Sequence, residues 1–152
     1  MPAAESSPSP NHGKQPTAVD IRELGRVKAT ERVAELVQQA SGNSDNQARI
    51  GVIWMSDQAP INVPSLGKIA DLASQRKERT NARIIGGPVS DLGGLEYDHA
   101  IILIDDIPDT RESRRQLYVA VTRTRRKLTL VFCKGTPDWV VDVLPARVKV
   151  VG

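Results

Sequence analysis

LYVAVTRTRRKLTLVF, residues 117–132, sets an apolar stretch against a knot of arginines and then a second apolar stretch. The first stretch continues a helical pattern that begins near Asp109 and runs to about Arg125. The second, KLTLVF (127–132), is short, rich in bulky apolar residues and fits a strand. Immediately upstream, HAIILI (99–104) is another short apolar run of strand length. A strand, a helix and a second strand in this order form a crossover unit, whose two strands lie parallel in one sheet.

The same alternation extends toward the N-terminus. RIGVIWM (49–55) has the continuous apolar character of a strand buried on both faces. Before it, Val33, Leu36, Val37 and Ala40 recur at helical spacing, with Thr30 as the expected cap and Gly42 as the expected stop. Pro64 opens a further helix that RKER (76–79) closes, ARII (82–85) forms a brief strand, and GGPVSDLGG makes a glycine-rich loop. A short helix around DWVVDVL and a final RVKVV end the chain. These elements predict an α/β domain over residues 18–152, a mostly parallel sheet flanked by helices. Residues 1–17 hold four of the ten prolines and little that is bulky and apolar, which predicts a disordered tail.

Composition narrows the chemistry. The 152 residues carry a net charge of +3, which permits a polyanionic partner without requiring one. There is no signal-peptide pattern and no run long enough to span a membrane, so a soluble, cytoplasmic chain is expected. A single cysteine, Cys133, excludes an internal disulfide and a cysteine-rich zinc site; in its apolar strand it is expected to be a small buried hydrophobe. His12 and His99 are too few for a metal cluster, and His99 is expected to plug a strand end. No metal site is expected. Aromatics make up only 3% of the residues, which argues against a base-stacking surface.

Two stretches are candidates for function. Between Arg111 and Lys127 there are seven basic residues (Arg111, Arg114, Arg115, Arg123, Arg125, Arg126, Lys127) against one acid, Glu112. Such runs are commonly solvated and complement a helix C-terminus. Arg123 stands apart because it follows Tyr118, Val119, Ala120 and Val121 directly. It therefore leaves the rim of a packed face, a mounting suited to an anion. In DLGGLEYD (91–98), two glycines permit close backbone approach, and Glu96 after them can accept from sugar hydroxyls, although a solvated turn reads the same way. IILIDD (101–106) superficially imitates an apolar strand ending in a magnesium-binding aspartate, but Asp105 and Asp106 are expected to cap the loop. SLGKIA (65–70) is the nearest approach to a phosphate loop, yet Asn62 replaces its first glycine and Ile69 its hydroxyl residue.

Taken together, GLEYDHAIIL (94–103) resembles motif V, and RRQLYVAVTRTRRKLTLVF (114–132) resembles motif VI, of superfamily 1 helicases of the UvrD/Rep type. RIGVIWMSDQ (49–58) is similar to the strand opening the second motor domain of that family. The resemblance spans about residues 28–145 in collinear order, with motif V within 93–104 and motif VI within 112–132. It implies a RecA-like three-layer sandwich, the second of two motor domains in an ATP-dependent DNA helicase. At matched positions it implies that Arg123 is an arginine finger reaching the γ-phosphate of ATP, that Glu96 lies near the ribose, and that Gly94 adjoins it. ATP and Mg would be bound mainly by a first RecA-like domain, the expected partner, with single-stranded DNA as the track. Arg114 and Arg115 match positions that orient the helix or touch neighbours.

The sequence departs from the family at defined places. Pro88-Val89-Ser90 stands where Thr-x-His usually meets single-stranded DNA, leaving Ser90 as the nucleic-acid candidate, and Gly93 replaces the motif V lysine. The large domain usually inserted before motif V is missing. With no phosphate loop, the chain is not expected to hydrolyse ATP alone. Two other readings remain open: a divergent, non-catalytic helicase-like module that binds a protein such as RNA polymerase, and a basic α/β nucleic-acid binder with salt-sensitive affinity.

Overall fold

Every strand pairing in the sheet is parallel. The computed structural model describes residues 16–43, 49–56, 58–62, 84–92, 96–122, 124–142 and 149–151. Its strands are β1 (Thr17–Asp20), β2 (Ile50–Trp54), β3 (Ile84–Pro88), β4 (Tyr97–Ile104), β5 (Thr124–Phe132) and β6 (Lys149–Val151). They form one six-stranded sheet in the order β3-β2-β4-β5-β1-β6. The described helices are α1 (Arg26–Asn43), α2 (Val89–Leu92), α3 (Arg111–Val121) and α4 (Asp138–Asp142). The helix expected over 64–79 lies outside the described residues.

Alternation along β4 explains why its sequence reads as one apolar run. Ala100, Ile102 and Ile104 enter the core beneath α3 and α4, with Leu117, Ala120, Leu130 and Val140. Ile101 and Leu103 point the other way and pack with Val33, Leu36, Val37 and Ala40 of α1. Both faces are thus covered, giving three layers of helix, sheet and helix. Truncating one of the buried isoleucines or leucines among them to alanine would cost about 2–5 kcal/mol.

Four expectations shift at their edges. Helix α1 starts a turn before Thr30, with Ala29 N–H donating to Gly25 O at 2.8 Å. Thr30 is buried inside it, donating to Arg26 O (2.7 Å) and accepting from Asn62 N–H (2.8 Å), so its hydroxyl ties the helix to the loop after β2. At the other end α1 runs through Gly42 to Asn43. The loop expected from Gly86 instead continues β3 to Pro88 in register with β2, a position tolerated because β3 is an edge strand. Helix α3 ends at Val121, where the Thr122 N–H still reaches Tyr118 O at 3.1 Å, and Thr124 already belongs to β5. Strand β1 was not anticipated: it begins at Thr17, the last residue assigned to the tail, and sits between β5 and β6 with Ala18 and Val19 buried.

Candidate functional site

The residues that carry the two motifs converge on one edge of the sheet. Strands β4 and β5 are parallel neighbours, and Tyr97 pairs with Thr124 at their N-terminal ends. Tyr97 directly follows Glu96, and Thr124 directly follows position 123. Arg123 and Gly94 themselves lie outside the described residues. Glu96 is exposed.

Motif V is held there by its apolar and polar neighbours. Tyr97 is fully buried, with its ring over Gly51 of β2. Asp98 accepts from Arg49 N–H at 2.8 Å, and its own N–H donates to Arg49 O at 2.9 Å, closing a two-way clamp onto the start of β2. The second carboxylate oxygen of Asp98 lies 3.9 Å from Arg126 Nε, a loose ion pair at the same edge.

His99 is buried on β4 and its Nε2 lies 3.1 Å from Thr129 Oγ1 on β5. Burial, and secondarily the Lys127 charge, pushes its pKa down to about 4. A neutral imidazole sealed in this way spans two strands as a structural plug, as its position in the sequence suggested.

The strand pairing also contains an irregularity at this edge. Between the pairs Tyr97–Thr124 and His99–Lys127, β5 advances three residues while β4 advances two. An extra residue of this kind forms a bulge, which bends the strand locally and re-aims side chains beside it. It falls within TRRK, immediately after the motif VI arginine.

Helix α3, which leads to that edge, is fixed at its start. Thr110 is an extended N-cap whose hydroxyl accepts from Ser113 N–H at 3.1 Å. Arg114 donates to Asp109 at 2.8 Å, and its guanidinium lies 4.7 Å from the Trp139 ring centroid, joining α3 to α4. Arg115 pairs with both carboxylate oxygens of Glu112. Both arginines therefore serve neighbours on their own surface, as expected.

The other sequence candidates separate from this edge. Ser90 is exposed on α2, just past the C-terminal end of β3, and so belongs to the opposite edge of the sheet. Asp105 directly follows β4 at that same far edge. Its backbone oxygen accepts from Ile107 N–H at 2.9 Å, and on the side chain Oδ1 is buried without a hydrogen-bond partner among the described residues. Cys133 is buried, and burial pushes its thiol up to about 12, as an inert hydrophobe requires. Among the described residues, no group of three or more His, Cys, Asp or Glu is placed to hold a metal, and no helix is long and apolar enough to cross a membrane. Sequence reasoning missed a cavity around Asp105 and Lys134, although the residues just after each parallel strand were the signal for it.

A sequence model of the UvrD-like helicase C-terminal domain family matches residues 93–131, the segment from the motif V glycines through most of β5. No curated protein sequence matches the chain significantly. A solved structure, the C-terminal domain of a possible DNA helicase from Lactobacillus plantarum WCFS1, superposes with a TM-score of 0.58 at 19% identity. That superposition covers 90% of this chain and 85% of the other. The likeness extends to the fold, and the three-layer parallel sandwich is RecA-like. The segment that matches the UvrD-like helicase C-terminal domain family, residues 93–131, is thus seated on a sheet whose fold is that of the C-terminal domain of a possible DNA helicase.

Proposed function

We propose that this domain is the second motor half of an ATP-dependent DNA helicase, contributing Arg123, Glu96 and Gly94 to an ATP site completed by a first RecA-like domain. One observation supports this above others. The register of β4 on β5 pairs the residue after Glu96 with the residue after position 123, so both motifs reach one strand edge. A face offered to a second domain needs its nucleotide contacts gathered in this way.

The division of labour follows from the side chains present. Phosphoryl transfer spreads charge over the equatorial oxygens of the transferred group, and an arginine brought from a second domain stabilises it. Arg123 fills that role, Glu96 accepts from ribose hydroxyls, and Gly94 lets the backbone approach. The phosphate loop and the magnesium ligands belong to the other half. Single-stranded DNA would cross the opposite edge of the sheet, near Ser90.

A second reading rests on the replacements Pro88-Val89-Ser90 and Gly93, which remove contacts to DNA that this family usually makes. Under it, the domain is a non-catalytic module that docks on a protein such as RNA polymerase. One experiment separates the two. The chain is mixed with a separately produced first motor domain of a UvrD-like helicase, and ATP hydrolysis is measured with and without a single-stranded oligonucleotide. The motor reading expects hydrolysis that neither protein shows alone. Hydrolysis no greater than the sum of the parts, with no salt-dependent oligonucleotide binding, supports the docking module.

A further inference from the structure

The edge opposite the motif V and VI residues holds a cavity of about 370 Å³. Its walls come from segments far apart in sequence: Leu24 and Arg26 around the start of α1, Ser56 and Gln58 after β2, Asp105 after β4, and Lys134 after β5. Strand order explains the location. From β2 the chain leads outward to β3, whereas from its neighbour β4 it leads the other way to β5. Loops that diverge from adjacent parallel strands leave a crevice between them, where open α/β sheets receive ligands. The volume lies within the about 300–1,000 Å³ of small-molecule sites.

The chemistry of the walls points to a ligand with two unlike ends. Asp105 lines the cavity at one end, and its carboxylate is only partly paired, Oδ1 being buried with no donor among the described residues. Burial chiefly, with the Asp106 charge adding to it, raises the pKa of this carboxyl. At the mouth, Lys134 is exposed and makes no ion pair among the described residues. The first turn of α1 contains no acidic residue, and Gly25 before it has no side chain to cap the free N–H groups, so the turn presents positive potential. Arg26 fixes the wall by donating to the carbonyls of Ala59 (3.3 Å) and Ile61 (2.8 Å). Between the two ends, Leu24 and Pro60 supply apolar surface.

We propose that this cavity binds a mononucleotide, with a base N–H donating to the Asp105 carboxylate and the phosphate held by Lys134 and the first turn of α1. The site is separate from the ATP cleft at the other edge and does not depend on it. The same chemistry is offered by a free nucleotide and by the phosphorylated 5′ end of a strand.

Calorimetric titration of the whole chain at low salt, with GMP and with ribose 5-phosphate, tests the assignment. GMP is expected to bind more tightly, because its ring N–H and amino groups reach Asp105. Lys134→Glu, at an exposed position, is expected to weaken both ligands by about tenfold. Asp105→Ala is expected to erase the advantage of GMP while leaving ribose 5-phosphate unchanged, with circular dichroism verifying that both variants are folded. Equal affinities for the two ligands in the unaltered chain, or no effect of Lys134→Glu, would overturn the proposal. Displacement of GMP by 5′-phosphorylated (dT)10 assigns the site to a strand end, and failure to displace it assigns the site to a free nucleotide; either result upholds the cavity as the binding site.

Discussion

The ring of Tyr97 lies across Gly51 so closely that a Cβ at Gly51 would sit 2.7 Å from Tyr97 Cδ1. A fully buried ring in a parallel sheet has nowhere to retreat, since β2 is itself flanked by β3 and β4. Gly51→Ala is therefore expected to destabilise the domain by about 1–3 kcal/mol in urea unfolding. It is also expected to loosen the start of motif V, which follows the ring. Gly25→Ala is the control, because no atom lies within 4 Å of a Cβ built there. Equal stability of the two variants would show that the ring is not confined as described.

In the reconstituted pair of motor domains, Arg123→Ala is expected to lower kcat about a thousandfold or more while changing nucleotide affinity far less, the pattern of a transition-state contact. Lysine is expected not to restore the rate, because a point charge does not reproduce the planar fork. Arg115→Ala provides the comparison, its guanidinium being occupied by Glu112 at 2.7 Å on the outer face of α3. Comparable losses in the two variants would remove Arg123 from the nucleotide site.

Much of this was legible in the chain because parallel strands buried on both faces leave continuous apolar runs. RIGVIWM, HAIILI and KLTLVF each announced a strand, and Val33, Leu36, Val37 and Ala40 announced the buried side of α1. What stayed hidden lacked an apolar signal of its own. TAVD is only four residues long and becomes a strand because β5 and β6 bracket it. Gly86, Gly87 and Pro88 read as a loop, yet their backbone completes an edge strand beside β2. The ordering of motifs V and VI gave the candidate site, but its single strand edge appears only once Tyr97 is paired with Thr124. The cavity at the other edge was illegible for a related reason: Arg26, Ser56, Asp105 and Lys134 share no local pattern and meet only through sheet order.

His99 should give the domain a measurable acid sensitivity. Its pKa, ordinarily 6.5, falls to about 4 in the folded chain through burial and the Lys127 charge. The unfolded chain therefore binds the proton first as pH drops. Stability from this group is intact above about pH 6.5 and is lost progressively toward pH 4, with a slope of at most roughly 1.4 kcal/mol per pH unit. Asp20, whose carboxyl is held below its usual value by the Arg22 side chain, acts in the same direction only at lower pH. His99→Gln keeps a polar partner for Thr129 and is expected to flatten the dependence between pH 4 and 6.5. A variant with the same slope as the parent would exclude His99 as its source.

Asp105 works with the opposite sign, and this makes it separable. Burial raises its pKa above 3.8, so the unfolded chain releases the proton first as pH rises. The carboxyl consequently becomes a growing liability above about pH 4 and a constant one once it is ionised in both states. Asp105→Asn removes that charge in a side chain of the same shape, and at pH 7 a gain of up to ~1 kcal/mol is expected. At pH values where both states are protonated, the gain should vanish. Urea unfolding of both proteins from pH 3 to 8 reads this difference directly, with the His99 contribution cancelling between them. A less stable Asn variant at pH 7 would mean the carboxylate has a donor that compensates its burial. A more stable one would mean that the fold carries an acceptor against its own stability, as a chain does when the donor comes from a ligand.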